Sequence, residues 1–274
     1  MTEKKREEDQ AIKEKLAPKQ FTKSPIRGTK YTLLISSAKG GVGKSTFAVN
    51  IAFALQNLGL KIGILDADVY GPSLPKLINL NKKPQSKDGK FLVPIEKYNA
   101  QCMSMGFLVE ETTPMIWRGP MVISAIKTMT TNVLWKDRDI IIIDMPPGTG
   151  DTQLTFAQQI KVDGAVIVST PQDLALLDVK RGIEMFDKTG IKIIGLVDNM
   201  SFFKGDDNKD YKIFGEGGVE KTAKEYNKEF LGKIPIHQDL RDSNDKGDPL
   251  THSKPEHEVS IIFEKIAVKI KKNL

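Results

Sequence analysis

The sequence predicts an α/β fold in which a mostly parallel, doubly wound sheet is flanked by helices. Short apolar segments of strand length alternate with longer segments of helical periodicity along most of the 274 residues. The clearest strand contains four consecutive isoleucines, Ile140 to Ile143, and β-branched residues favour a strand buried on both faces. This alternation indicates parallel strands joined by helices that cover both faces of the sheet.

The first predicted elements are a strand at residues 31–37 and a helix at 44–58. The strand is a continuous apolar run, and the helix repeats Phe47, Ile51 and Leu55 at helical spacing before a glycine ends it. The later elements follow the same alternation, with strands predicted at 61–65, 90–95, 100–106, 139–143, 165–169, 192–197 and 231–234, and helices at 122–133, 174–188, 218–227 and 256–271.

A glycine-rich segment, Lys39-Gly-Gly-Val-Gly-Lys-Ser-Thr46, lies between the first strand and the first helix. A phosphate-binding loop (P-loop) needs glycines whose backbone N–H groups surround phosphate oxygens, a lysine for the β- and γ-phosphates, and a hydroxyl for Mg²⁺. Ala38 stands where the common pattern has its first glycine, but the strand before and the helix after are as expected. The three requirements are met by Gly40, Gly41 and Gly43, by Lys44, and by Ser45.

Three aspartates follow predicted strands. Asp144 comes directly after the isoleucine strand, where P-loop proteins place the acid that supports Mg²⁺. Asp66 and Asp68 follow the strand at 61–65. Because the carboxyl ends of neighbouring parallel strands meet at one crevice, these carboxylates are expected beside the P-loop.

Composition limits the possible classes of protein. The chain is 39% hydrophobic with a net charge of +6, and its lysine-rich ends also contain acids, which favours solvated ends over nucleic-acid binding. No segment contains the continuous run of roughly 20 apolar residues that a helix needs to cross a bilayer, so a cytoplasmic protein is expected. We predict a charged, flexible arm at residues 1–30, with a short helix at 7–16, and one P-loop ATPase domain at 31–274.

The chain has one cysteine, Cys102, which cannot form an internal disulfide or supply four thiolates. It falls in a predicted core strand, so a buried structural role is favoured over metal ligation. The three histidines, His237, His252 and His257, show no recognised metal-ligand spacing and are interpreted as ordinary surface or packing residues.

Several long motifs carry a resemblance to a known family. Lys39, directly before two glycines, is similar to the additional lysine of the deviant-Walker ATPases, the group of MinD and ParA, in which the first glycine is often missing. Within that group the chain resembles the Mrp-type iron–sulfur cluster carrier ATPases from about residue 31 to 257. The motifs are Asp66-Ala-Asp-Val-Tyr-Gly-Pro-Ser-Leu-Pro75, Trp117-Arg-Gly-Pro-Met121, Asp144-Met-Pro-Pro-Gly-Thr-Gly-Asp151, Asn199-Met-Ser201 and Ile213-Phe-Gly-Glu-Gly-Gly218.

The resemblance implies a role for individual residues of a homodimer. Lys44 would bind phosphate in its own subunit, whereas Lys39 would reach the partner's nucleotide like an arginine finger given in trans. Asp68 would orient the attacking water. Residues 144–151 would form a switch that senses the γ-phosphate. The implied nucleotide-binding set is Lys39, Gly40, Gly41, Val42, Gly43, Lys44, Ser45, Thr46, Asn199 at the adenine and Pro235 against the base, with Ser45, Asp66 and Asp144 supporting Mg²⁺.

The chain departs from the family in the cysteines that would bind the iron–sulfur cluster. Members usually show a C-P-x-C pair shortly after Asn-Met-Ser, and two subunits together would then supply four thiolates to a cluster. Here residues 202–211 contain no cysteine. The cluster ligands of this chain are therefore unknown, with Cys102 as a weak candidate.

Two functions follow from these observations. The first is a slow, dimeric ATPase that carries or assembles iron–sulfur clusters, with ATP, Mg²⁺ and a cluster as cofactors, and apo iron–sulfur proteins and assembly scaffolds as partners. The second is a positioning or adaptor ATPase like MinD or ParA. It draws on an apolar stripe in the last helix that is flanked by lysines and could lie on a membrane, formed by Val259, Ile262, Phe263, Ile266 and Ile270. A helix that packs this stripe on the domain is the favoured interpretation.

Overall fold

The computed structural model describes residues 23–108 and 119–274. Its strands are β1 (Thr29–Ser36), β2 (Ile62–Asp66), β3 (Ser86–Lys87), β4 (Phe91–Leu92), β5 (Ile95–Lys97), β6 (Ala100–Ser104), β7 (Arg138–Asp144), β8 (Gly164–Ser169), β9 (Ile193–Lys204), β10 (Asp210–Tyr211) and β11 (Phe230–Ile236). Its α-helices are α1 (Lys44–Asn57), α2 (Leu74–Leu77), α3 (Gly119–Thr131), α4 (Asp151–Gln159), α5 (Asp173–Thr189), α6 (Gly218–Glu225), α7 (Gln238–Lys246), α8 (Leu250–Ser253) and α9 (Glu258–Asn273).

Nine of the described strands form one sheet, ordered β10-β9-β8-β1-β7-β2-β6-β5, with β11 also paired to β9. Within this sheet the strand pairs β6–β2, β2–β7, β7–β1, β1–β8, β8–β9 and β9–β11 are parallel, and the outer strands β5 and β10 run antiparallel to their neighbours. Strands β3 and β4 form a separate antiparallel pair. The predicted mostly parallel α/β sheet is confirmed.

The central strands are hydrophobic because both of their faces are covered. Ile140 to Ile143 are fully buried in β7, between β1 and β2. One group of helices, α1, α8 and α9, packs together, and a second group, α3 to α6, forms another connected layer. The sheet is thus doubly wound, and the carboxyl ends of β1, β2 and β7 meet at one edge.

The last helix packs its apolar stripe on the domain. Val259, Phe263, Ile266 and Ile270 are at most 1% exposed, and the ring of Phe263 lies 5.8 Å from that of Phe47 in α1. The stripe is therefore part of the core and not a free membrane-facing surface. Across the residues that the structure describes, no helix combines the length and apolarity needed to cross a membrane.

Some elements differ from the predicted ones. The polar helices α4 and α7 and the short helices α2 and α8 were not predicted, and β9 continues to Lys204 instead of ending at residue 197. The segment predicted as a strand at 90–95 is divided between β4 and β5, and the predicted strand at 100–106 ends in a 3₁₀ turn at Met105–Phe107.

The start of the packed chain lies before residue 31. Ile26 is 2% exposed, and Ser24 exchanges backbone hydrogen bonds with Gln159 and Lys161 at 3.1 and 3.0 Å. The predicted helix at 7–16 lies outside the described residues. The division into an arm at 1–30 and a domain at 31–274 stays a prediction for the part that is not described.

Candidate functional site

The glycine loop connects β1 to α1 with two residues in the left-handed region. Gly41 and Gly43 have φ values of 81° and 80°, which favour glycine. A Cβ atom on Gly43 would lie 2.3 Å from Nδ2 of Asn199, whereas a Cβ on Gly40 or Gly41 would meet nothing within 4 Å. The loop is therefore closed against the protein at Gly43 and open at Gly40 and Gly41, as a phosphate cradle requires.

Lys44 begins α1 and points to the end of β7. Its ammonium donates a hydrogen bond to Oδ1 of Asp144, and both side chains are almost fully buried. The same ammonium lies 3.3 Å from Oγ of Ser45. Burial raises the pKa of the Asp144 carboxyl, while the charge of Lys44 opposes that rise. The predicted lysine, hydroxyl and carboxylate thus lie together under the loop.

Asp66 ends β2 next to Asp144, its register partner in β7. Burial, followed by the charge of Asp144, raises the pKa of Asp66 to about 7. Its two oxygens accept hydrogen bonds from four donors at 2.9 to 3.1 Å: the backbone N–H groups of Asp68, Ser73 and Leu74 and the hydroxyl of Ser104. Asp66 therefore shapes the turn that carries Asp68. Its role toward Mg²⁺ stays a prediction.

Asp68 lies in the turn after β2 and is 8% exposed. Its Oδ1 accepts hydrogen bonds from the N–H groups of Tyr70 and Gly71, both at 3.2 Å. These bonds fix the carboxylate at the edge of the sheet that also carries Lys44 and Asp144. This placement agrees with a residue that orients water, a role that stays a prediction.

The segment predicted as a switch is joined to the entrance of the P-loop. The N–H of Gly148 donates to the carbonyl of Ser37 at 2.9 Å, and the hydroxyl of Ser37 donates to the carbonyl of Lys39 at the same distance. Gln153 in α4 donates to the carbonyl of Pro146. These bonds join the segment after Asp144 to the backbone of Lys39, whose side chain is exposed. The role of the segment as a switch stays a prediction.

Asn199 contacts the P-loop itself. Its Nδ2 donates to the carbonyl of Val42 at 2.7 Å, and the residue is 5% exposed. It pairs in register with Ile234 of β11, next to the buried Pro235. The predicted contacts of Asn199 with adenine and of Pro235 with the base stay predictions, while the structure adds a role for Asn199 in holding the loop.

Thr46 makes a contact that the sequence did not predict. Nδ2 of Asn244, in the polar helix α7, donates to Oγ1 of Thr46 at 3.0 Å. The two residues are 198 positions apart. The asparagine belongs to no recognised motif, so the sequence alone gave no indication of the contact.

The structure also brings two histidines together. Oδ2 of Asp239 lies 3.0 Å from Nε2 of His257, and Nε2 of His237 lies 3.4 Å from Oε1 of Glu258. The Nδ1 atoms accept hydrogen bonds from the N–H groups of Asp239 and Val259, at the starts of α7 and α9. Each neutral imidazole therefore carries its proton on Nε2 and points it at a carboxylate. A metal ion on Nε2 would require these caps to break, so the cluster fits a packing role better than metal binding.

The single cysteine is inaccessible. Cys102 lies in β6 with no exposed surface, and burial raises the pKa of its thiol to about 12. A thiolate, the form that binds iron, is therefore strongly disfavoured at this position. The predicted burial of this strand is confirmed.

Residues 203–211 form an exposed hairpin where the resembled family has its cysteines. Strand β10 pairs with the end of β9, and Asp207 closes the turn by accepting from the N–H of Lys209 at 3.1 Å and the hydroxyl of Tyr211 at 3.0 Å. The backbone bond from Lys209 lowers the pKa of Asp207. The hairpin thus offers carboxylates and amides, which are hard ligands, and no thiol.

Asp198, directly before Asn199, is a buried acid outside the P-loop. Among the described residues, neither of its oxygens has a hydrogen-bond partner, and burial raises its pKa to about 7. It lines a cavity of about 180 Å³ together with Ser201, Lys212, Glu216 and Lys233. Asp210 of the hairpin lines the same cavity, so Asp198 lies close to the hairpin as well as directly before Asn199.

Comparison with known proteins decides the family. A family model described as "ParA: NUBPL iron-transfer P-loop NTPase" matches residues 28–271. The chain belongs to this family of iron-transfer P-loop NTPases. It is 49% identical over 255 residues to the "Iron-sulfur protein required for NADH dehydrogenase, mitochondrial" of Arabidopsis thaliana, covering 92% of this chain and 82% of that protein.

Two further known proteins are similar to this chain over most of its length. The "Iron-sulfur cluster carrier protein" of Escherichia coli K12 is 47% identical over 247 residues, which span 89% of this chain and 67% of that protein. A solved nucleotide-binding protein of Archaeoglobus fulgidus, in complex with ADP, is 35% identical with a TM-score of 0.72, covering 85% of this chain and 91% of the other. The resemblance and the P-loop ATPase class that it implied are confirmed.

Proposed function

We propose that this P-loop NTPase is a homodimeric ATPase that assists the maturation of iron–sulfur proteins, with thiolate ligands for the cluster coming from a partner protein. The observation that carries the ATPase part is the convergence of Lys44, Asp144 and Asp68 beneath an open glycine loop. The iron–sulfur part is supported by the family and by the relatives named as cluster carriers.

The residues fit a nucleotide with Mg²⁺. The open cradle at Gly40 and Gly41 would receive phosphate, and the N-terminus of α1 favours negative charge there. Ser45 and Asp144 supply the oxygen donors that Mg²⁺ prefers. When bound, Mg²⁺ neutralises charge on the phosphate oxygens. The ammonium of Lys44 would then break its ion pair with Asp144 and bind the phosphates instead.

Hydrolysis needs a water molecule placed behind the γ-phosphate. Asp68, fixed by two backbone N–H groups, would accept a hydrogen bond from that water and orient its lone pair at phosphorus. The new bond joins the water oxygen to phosphorus as the bond to the β–γ bridging oxygen breaks. The electron pair of the broken bond stays on ADP, and one proton of the water is released to solvent, giving ADP and inorganic phosphate. The exposed Lys39 of a second subunit would neutralise the charge that develops on the leaving oxygen.

The scarcity of thiols in the chain limits how it could bind an iron–sulfur cluster. The hairpin at 203–211 has none, and the one cysteine is buried with a raised pKa. A stable cluster site made only by this chain is therefore disfavoured. Delivery to an apoprotein through joint ligation with a thiol-bearing scaffold satisfies both the family and the chemistry.

The test is an anaerobic transfer assay. A cluster-loaded scaffold and an apo iron–sulfur enzyme are mixed with the protein and ATP, and recovery of enzyme activity is followed. We expect recovery to be faster with the wild-type chain than with Lys44→Ala, which keeps the hairpin but loses the nucleotide site. Equal rates for the two chains, or rates equal to those without the protein, would contradict the proposal.

A further inference from the structure

Thr46, the last residue of the P-loop, is held by two asparagines from different parts of the fold. Nδ2 of Asn50, one turn later in α1, donates to the carbonyl of Thr46 at 2.9 Å. Nδ2 of Asn244, in α7, donates to Oγ1 of Thr46 at 3.0 Å. The first bond stays within the helix, whereas the second fixes the hydroxyl from outside it.

The helix that carries Asn244 is fixed at both ends. Nδ1 of His237 caps its start by accepting from the N–H of Asp239 at 3.1 Å. Gly247 ends it with φ 68°, and a Cβ atom there would lie 2.5 Å from the backbone nitrogen of Asn79. The cap defines where the helix begins, and the close approach of Gly247 to Asn79 defines where it ends, so the amide of Asn244 is carried by a helix with defined ends.

The direction of the bond decides what Thr46 can do next. A side-chain NH₂ group only donates, so Oγ1 of Thr46 must accept from Asn244. The hydroxyl has a single proton, and this bond leaves that proton available for another acceptor. Thr46 directly follows Lys44 and Ser45 at the start of α1, where phosphate oxygens are the acceptors expected.

We propose that Asn244 is a positioning residue that directs the hydroxyl proton of Thr46 toward a phosphate oxygen of the bound nucleotide. The inference rests on the proposed nucleotide binding and adds a residue that belongs to no P-loop motif. A merely structural asparagine would tie α7 to α1 whichever way the hydrogen bond ran. The two roles therefore predict different effects when the side chain of residue 244 is changed from a hydrogen-bond donor to an acceptor.

The test reverses the direction of the hydrogen bond between residue 244 and Thr46. In Asn244→Asp the carboxylate can only accept, so the Thr46 proton turns to it and the hydroxyl lone pairs face the phosphate. We expect Asn244→Asp to raise the Kd for ATP about tenfold, and Asn244→Ala about threefold, since the alanine leaves the proton free; these ratios correspond to about 1.4 and 0.6 kcal/mol. Isothermal titration calorimetry measures both, and kcat at saturating ATP should change less than KM.

Further variants distinguish the positioning of Thr46 by Asn244 from an effect of net charge and from a loss of folding. Lys246→Gln, on the exposed end of the same helix, changes the net charge by the same amount as Asn244→Asp and should leave the Kd unchanged. In a Thr46→Val background, which lacks the hydroxyl, Asn244→Asp should have no more than about a twofold effect because interacting residues are not additive. Thermal melting of every variant checks that the fold is retained.

The outcomes are distinct. Equal effects of Asn244→Asp and Asn244→Ala, an effect of Lys246→Gln as large as that of Asn244→Asp, or a full tenfold effect without the Thr46 hydroxyl would each overturn the inference. A wild-type chain that binds no ATP would instead overturn the proposed function. Tight wild-type binding together with an unaffected Asn244→Asp variant would remove only the role of Asn244.

Discussion

The nucleotide edge of the sheet and the hairpin at 203–211 are built in opposite ways, although β9 reaches both. At the nucleotide edge the charged pair of Lys44 and Asp144 is buried. On the hairpin the polar groups are exposed and contact one another across a short turn, as Asp207 does with Tyr211. A buried charge that loses its partner is costly, whereas an exposed turn tolerates substitution. The difference explains how a chain can keep the ATPase machinery of its family and lack the thiols.

The largest expected effect on nucleotide affinity comes from removing the buried cation of the nucleotide edge. Lys44→Ala should raise the Kd for ATP by about a hundredfold or more, equivalent to about 2.8 kcal/mol, because the phosphates lose that cation. The hairpin should stay intact, which circular dichroism and limited proteolysis can check. Calorimetric titration that gave near-native affinity would show that the loop binds nucleotide in another way.

The exposed cation of the same edge separates binding from hydrolysis. Lys39→Ala should leave the monomer's affinity for ATP almost unchanged but lower kcat by about a thousandfold, the lower end of what a cation supplied in trans contributes. It should also weaken the dimer formed with ATP, which light scattering measures. Normal turnover by this variant would make Lys39 an ordinary loop residue.

The carboxylate of Asp68 tests whether the edge is catalytic or only a binding site. In Asp68→Asn, Oδ1 can still accept from the N–H groups of Tyr70 and Gly71, so the turn should be kept. ATP should bind and the dimer should form, while kcat falls by about a hundredfold because the water is no longer oriented by a carboxylate. The phosphate-release rate measures this, and a rate within twofold of wild type would assign the role to another group.

The smallest expected effect is the pH-dependent change in stability on substitution of Asp198. This residue lies in β9, the strand that reaches both regions. Its folded-state pKa of about 7 lies above the unfolded value near 4, so between these pH values the folded state binds more protons. Stability due to this group is thus greatest below pH 4 and is lost as the pH rises through 7. Asp198→Asn should therefore raise the free energy of unfolding by about 1–2 kcal/mol at pH 8 and by little at pH 4.

Denaturant unfolding at the two pH values measures this difference. Asp206→Asn, which removes an exposed acid of the hairpin, is the matched control and should change the free energy of unfolding by less than about 0.5 kcal/mol because surface substitutions have small effects. A destabilised Asp198→Asn variant at pH 8 would mean that the carboxylate is ionised and satisfied in the folded protein.

The contrast between the regions also determines what the sequence could predict. The P-loop and the isoleucine strand β7 depend on residues close together in the chain, so their local pattern was sufficient. Helix α7 buries only Leu240 and Ser243, so it lacks the apolar periodicity by which helices are predicted. Contacts such as Asn244 to Thr46 depend on the packing of distant elements, which no local pattern encodes.

The hairpin shows a further limit of sequence-based prediction. The missing cysteines could be seen directly, but the pairing of β10 with the end of β9 could not, since a two-residue strand has no periodicity. Likewise, His237 and His257 approach each other only because β11 and α9 bring their helix starts together. Their spacing in sequence gave no indication of this cluster.

The chain supplies the residues of a nucleotide site but not the thiolates of a cluster site. Anaerobic reconstitution of Cys102→Ser with iron and sulfide, followed by desalting, iron analysis and absorbance, tests this claim most directly. We predict ATP hydrolysis at the wild-type rate and no retained cluster absorbance, because no thiolate is left in the chain. A stable [4Fe–4S] cluster with four protein ligands in this variant would contradict the claim.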